Sequence, residues 1–278
     1  MFCAPVWRWF TEAAWAAGQI PSPIVPVEWS PPKFEAVDPQ KDAMANLLSI
    51  RLVLGRNSVD QPIYPRRGSD FSVSVQLTPP YSLWDGKDYK STALSEQERY
   101  NWIEFHKWML KGQWFTPLTR NGNLVLMARA EMGYLGHYNK NKVSPFERFE
   151  VGGDGMTGYN MYGIDIISMR GYDDGALDPV GSNYSCAYNK YTMELRYPLL
   201  LKGQTNIYVL GFLEGGNGFT SWKEFSPFKI KRSAGIGVRL FLPVVGMVGV
   251  DWGWGFDPAA GQTKRSGSHI HFTMGMQF

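Results

Sequence analysis

"MVGVDWGWGF", residues 247–256, alternates without a break. Val248, Val250, Trp252, Trp254 and Phe256 fall on one face, and Gly249, Asp251, Gly253 and Gly255 on the other. A period of two marks a β-strand. What the two faces carry decides which kind of strand it is. A soluble antiparallel sandwich buries its apolar face and wets the other. Here one face is large and aromatic while the other mixes glycine with a lone charge, the texture of a crowded, wet barrel interior with lipid outside.

The same texture extends outward along the chain. The terminal "HIHFTMGMQF" sets Ile270, Phe272, Met274, Met276 and Phe278 against His269, His271, Thr273, Gly275 and Gln277. "SAGIGVRLFL" (233–242), "KYTMELRYPL" (190–199), "NLVLMARAEMGY" (123–134) and "DFSVSVQLT" (70–78) alternate in the same way. These runs reach about the 9–11 residues that a tilted membrane strand needs. Short turns such as "PLTRNGN", "LLLKGQT" and "PVVG" take turns with long connections over 79–99, 133–190, 215–229 and 257–268. Short periplasmic turns and long external loops are the habit of outer-membrane barrels. By that logic 133–190 is external and the chain ends on the periplasmic side.

The pattern therefore predicts an all-β fold, an antiparallel transmembrane β-barrel, with strands at about eight places over 70–278 and another over 49–57. An odd number with an unpaired first edge leaves backbone groups unsatisfied in lipid, at several kcal/mol each. The expectation is thus part of a barrel, occupying 52–278.

Bulk properties agree. With 44% apolar, 15% aromatic and only 19% charged residues, the 278-residue chain is no disordered polymer. A net charge of +3 gives no argument for nucleic acid. Cys3 and Cys186 lie too far apart in sequence to suggest a metal motif or a disulfide framework. The first residues make a poor export signal, because Arg8 and Glu12 interrupt them.

The front of the chain differs. Seven of its eighteen prolines fall within residues 1–39, and "PSPIVPVEWSPP" (21–32) predicts extended, polyproline-like chain without ladders. A helix is expected across "DPQKDAMANLLSIR" (38–51), capped by Asp38 with Pro39 at its first position, and another short one around 13–17. Residues 1–51 accordingly form a separate Pro-rich, partly helical segment.

No catalytic constellation stands out, and no cofactor is implied. The chain lacks G-x-S-x-G, H-E-x-x-H and paired cysteines, and "GGDGMTGYNMYG" (152–163) lacks the Lys-Ser/Thr end of a phosphate loop. His269 and His271 share a face and could reach one metal, but no third ligand is evident, so a polar lumen face is the plainer reading. His106 and His137 are isolated, and the spacing of Ser233 and Asp251 gives no hydrolase.

Seven landmarks run from about Arg56 to Phe278: "RNSVDQPIYPRRGSDFSVSVQLTPP", "PFERFEVGGDGMTGY", "MRGYDDG", "YTMELRYPL", "FLEGGN", "KRSAGIGVRLFLPVVGMVGVDWGWGFD" and the terminal "HFTMGMQF". Together they make this part of the chain resemble the barrel of the BamA family, outer-membrane protein insertases, and the resemblance implies the C-terminal half of that barrel. The resemblance implies that Arg170, Gly171 and Tyr172 form the tip of a long external loop folded back into the lumen, with Glu214 as the arginine's partner. A solvated Arg170, or one paired locally with Asp173 or Asp174, is the alternative. It also implies that Phe272, Met274, Met276 and Phe278 serve as a C-terminal sorting signal; they equally fit a plain lipid-facing last strand.

By the same resemblance the protein is not an enzyme. The resemblance implies residence in the outer membrane, with the outer-membrane lipid bilayer, unfolded outer-membrane protein substrates and accessory assembly lipoproteins as partners. Residues 1–51, through the stretch "PVEWSPPKFEAVDPQKDAMANLLSIR" (26–51), resemble instead the C-terminal region of lambda-type phage portal proteins, implying a chimeric reading frame joined near residue 51. A passive outer-membrane pore and a portal-derived structural fusion are the rival functions.

Overall fold

A computed structural model describes residues 27–36, 44–90, 94–156, 163–181, 184–202, 205–243 and 246–275. Twelve strands appear among them: β1 (Val27–Ala36), β2 (Met44–Asn57), β3 (Gly68–Leu77), β4 (His106–Pro117), β5 (Val125–Gly136), β6 (Phe149–Val151), β7 (Asp165–Ile167), β8 (Ala187–Lys202), β9 (Thr205–Phe219), β10 (Lys231–Leu242), β11 (Gly246–Pro258) and β12 (Arg265–Met274). Ten form one antiparallel sheet in the order β1-β2-β3-β4-β5-β8-β9-β10-β11-β12, with β1 and β12 at its edges. The sheet is not closed. The eight strands expected after residue 68 and the one before it are present, and β1 is an addition.

The alternation read in the sequence sets which face is which. In β11, Val250, Trp252, Trp254 and Phe256 are exposed, while Gly249, Asp251, Gly253 and Gly255 are buried. Ile236 and Val238 on β10, and Leu213 on β9, continue the outer apolar surface, which water would penalise and lipid would not. The inner face is polar and packed: Lys190, Thr192 and Glu194 of β8, Glu214 of β9 and Ser233 of β10 are all buried.

Two expectations for the front of the chain fail. The region expected to be helical is strand from Met44 onward, because β2 pairs with β3 from Ile50↔Leu77 to Asn57↔Asp70 and so places Ile50, Leu52 and Leu54 on the outer surface. Tertiary pairing overrides a local helix preference here. Proline density likewise does not exclude a ladder: β1 pairs with β2, and its register shifts between Ser30 and Lys33, where Pro31 and Pro32 sit. A bulge is where a strand tolerates prolines, which bring no N–H to the ladder. The expected helices at 13–17 and 38–43 lie outside the described residues.

Long connections do gather at one end of the sheet. The β3–β4 connection carries two helical turns, Tyr81–Trp84 and Glu96–Tyr100, the second closed by a capping box between Ser95 and Glu98. The β5–β8 connection contains the small parallel pair β6–β7.

Candidate functional site

The β5–β8 connection turns back into the concave side of the sheet. Phe149, Val151, Met169, Tyr172 and Leu177 form a buried cluster with Tyr188 of β8, and the Phe149 and Tyr188 rings meet edge-on at 4.8 Å. Met169 N–H donates to the Gly153 carbonyl at 2.9 Å, and Gly153 N–H to the Tyr172 carbonyl at 3.2 Å. Apolar packing thus holds the neck of the loop against the wall, and the tip that follows is polar.

Arg170 is buried at that tip. Its Nη2 donates to Glu214 Oε1 and to Glu194 Oε1, both at 2.7 Å, and its Nε donates to Glu214 Oε1 at 3.1 Å. Its backbone N–H reaches Glu214 Oε2 at 2.9 Å. Nη1 faces Asp251 Oδ2 at 3.5 Å, close enough for attraction but too long for a good hydrogen bond. The guanidinium lies over the Phe212 ring, 3.7 Å from its centroid, a position in which the ring face attracts a cation.

The acids are themselves shared. Glu194 accepts from Arg196 Nε at 2.8 Å, and Asp251 takes both nitrogens of the Arg239 fork at 2.7 and 2.6 Å. Charge therefore alternates across the lumen wall as Arg196, Glu194, Arg170, Asp251, Arg239. Each buried charge needs this, since an unpaired one would cost several kcal/mol. Asp173 and Asp174, the local alternatives, are both exposed, and Asp173 pairs with His269 Nδ1 at 3.1 Å.

Gly171 occupies the left-handed region with φ +86° and lies on β10 and β11. A Cβ there would stand 2.9 Å from Ser233 Cβ and 3.0 Å from Gly255 N. Its N–H donates to His271 Nε2 at 2.8 Å, which requires that nitrogen to be unprotonated. His271 Nε2 is thus taken up in holding the loop. Tyr172 is fully buried and donates its hydroxyl to the Arg232 carbonyl at 2.9 Å.

Arg170, Gly171, Tyr172 and Glu214 therefore meet in one place. Phe272 and Met274 stand exposed on the outer face of β12, away from it; Met276 and Phe278 lie outside the described residues. Sequence reasoning passed over Glu194, Phe212, Asp251 and His271 as partners of the tip. The signal available was alternation, which puts Glu194, Asp251 and His271 on the inner face but gives no height within the barrel.

Farther up the loop, Asp178 is buried and accepts from Ser185 Oγ and from Val151 N–H, while its Oδ2 has no hydrogen-bond partner among the described residues. Burial, with Glu150 nearby, pushes its pKa up to about 7. The folded loop then holds a proton that the unfolded chain would release, so its stability falls as pH rises from the ordinary carboxyl range through about 7 and is level above that. Hydrogen exchange of the loop amides between pH 5 and 8 is expected to show this slope, and Asp178→Asn is expected to remove it.

The model of the Omp85 superfamily domain matches residues 22–278. The outer membrane protein assembly factor BamA of Neisseria meningitidis serogroup B is 27% identical over 143 residues, which is 51% of this chain and 13% of that protein. The crystal structure of BamA from Haemophilus ducreyi lacking POTRA domains 1–3 superposes with a TM-score of 0.57 at 17% identity, over 85% of this chain and 44% of that one. The second likeness is one of fold. The chain spans less than half the length of either relative. The family match crosses residue 51 without a break, as does β2, and the portal-like reading of 1–51 finds no support in these matches.

Proposed function

The chain belongs to the Omp85 superfamily, and from that premise we propose that it forms part of the barrel of an outer-membrane assembly factor, one that assists the folding and insertion of β-barrel proteins. The reading is non-enzymatic. A barrel wall inserted in the bilayer supplies an environment in which an incoming strand pairs its backbone before lipid surrounds it, and unpaired backbone in lipid is the main obstacle to insertion. Its partners are the lipid bilayer and unfolded outer-membrane proteins, with accessory lipoproteins in the assembled machine.

The observation that carries this reading is the seated loop tip. Arg170 engages acids from β8, β9 and β11, and Gly171 engages β12, so one loop braces the last strands of the sheet against each other. A passive pore has no need for so many strands to be tied through one guanidinium. The test is a folding assay: the chain is refolded into liposomes, and the conversion of a small unfolded barrel substrate to its heat-modifiable form is timed. Acceleration over empty liposomes is the expected result. Conductance steps with no acceleration would favour the passive pore and sink the assembly reading.

A further inference from the structure

A cavity of about 380 Å³ lies between the β3–β4 and β5–β8 connections. Tyr81, Trp84 and Trp102 supply its aromatic surface, with Asp85, Lys87 and Lys142 among its polar groups. Tyr81 packs on Trp102 at 4.9 Å and on Trp84 at 6.4 Å. Trp84 is 70% exposed, so its indole face is open to a ligand.

The cleft rests on a built foundation. Glu104 is buried beneath it and accepts from Ser82 N–H at 2.7 Å and from the Ser82 hydroxyl. Lys142, from the other loop, places its buried ammonium 3.7 Å from Glu104 and 4.8 Å from the Tyr89 ring centroid. Tyr89 in turn donates to Asp85. Thr78 and Phe105 close the base of the β3–β4 loop with reciprocal bonds of 3.0 and 2.7 Å. Burying an ion pair to join two connections is expensive in solvation, and the result is a preformed shape, which lowers the entropy lost when a ligand binds.

We propose that this cleft binds a saccharide ring. A pyranose has apolar C–H faces and a hydroxyl rim, which fit aromatic walls combined with a few fixed polar groups. The charged lining balances, with Asp85 and Glu98 against Lys87 and Lys142, so neither a phosphate nor a cation is favoured. The cleft sits at the end of the sheet that carries the long loops, where sugars are presented either free in the medium or on glycolipid headgroups. This assignment does not depend on the assembly function.

The experiment is saturation-transfer NMR on the whole chain refolded in dimethyldodecylamine oxide, a detergent without a sugar. The probes are the methyl glycosides of glucose, galactose and N-acetylglucosamine, and the deacylated core oligosaccharide of lipopolysaccharide. Saturable transfer to ring C–H protons is expected, with affinity weakened about 3- to 10-fold in Trp84→Ala, the change that loss of one aromatic contact gives. Trp84 is exposed, so this variant is expected to fold, which heat-modifiability checks; Trp222→Ala on another loop serves as the control and is expected to bind like the wild type. A signal from the core oligosaccharide alone would identify a lipid-borne source, and one from the simple glycosides a free sugar. No saturable transfer from any probe, or transfer equal in Trp84→Ala and wild type, overturns the proposal.

Discussion

Arg170→Ala is expected to release the loop tip from the barrel wall. The substitution leaves Glu194, Glu214 and Asp251 facing one another in a buried lumen with one cation fewer. Breaking a buried ion pair by removing one partner costs about 3–5 kcal/mol, a shift of about two to four orders of magnitude in the ratio of seated to released loop. Arg170→Lys should rescue little, because a single ammonium cannot present Nε and Nη2 together to Glu214 while also reaching Glu194. Limited proteolysis within residues 150–180 and the urea midpoint of the heat-modifiable form are the measurements. A wild-type cleavage pattern in Arg170→Ala would show that the apolar neck, not the arginine, seats the loop.

The second large effect should come from glycine. Gly171→Ala places a methyl 3.0 Å from Gly255 N and 3.1 Å from the Trp254 carbonyl carbon, at a φ that alanine disfavours. Gly253→Ala approaches the same contact from the wall, 2.7 Å from Gly171 N. In both cases the methyl meets backbone atoms, and at Gly171 also the Ser233 Cβ, none of which can rotate away; overpacking of this kind costs about 1–3 kcal/mol. Each variant should free the loop while the sheet still forms. Their effects should not add, since both remove the same approach. Gly211→Ala is the control: its added methyl meets only Gly235 O, at 3.9 Å. Equal loop protection in Gly171→Ala and Gly211→Ala would refute the close-approach argument.

Much of the barrel was legible because its physics is periodic. Alternation in β11 and β12 assigns every side chain to lipid or lumen from a period of two alone, and the structure follows it residue by residue. The front of the chain was not legible for the opposite reason. "DPQKDAMANLLSIR" carries helix-start signals, and only the pairing of β2 with β3 makes the described part of it, from Met44, a strand. The prolines of β1 argue against a ladder until a partner strand and a bulge are available to accommodate them.

The site divides along the same line. Arg170 and Glu214 were picked out by resemblance, and the geometry joins them, but the rest of the arginine's surroundings come from strands distant in sequence. Glu194 lies 24 residues away from Arg170, and His271 lies 100 from Gly171. Alternation fixes the face of a residue but not its height, and height depends on strand stagger, which is set by long-range register.

By itself, then, the sequence determined the two-faced strands, the apolar exterior and the polar interior, because side-chain direction in a strand repeats every two residues whatever its partner. Only the tertiary structure decided that three acids and a histidine converge on one loop tip, because that convergence depends on how ten strands slide past one another.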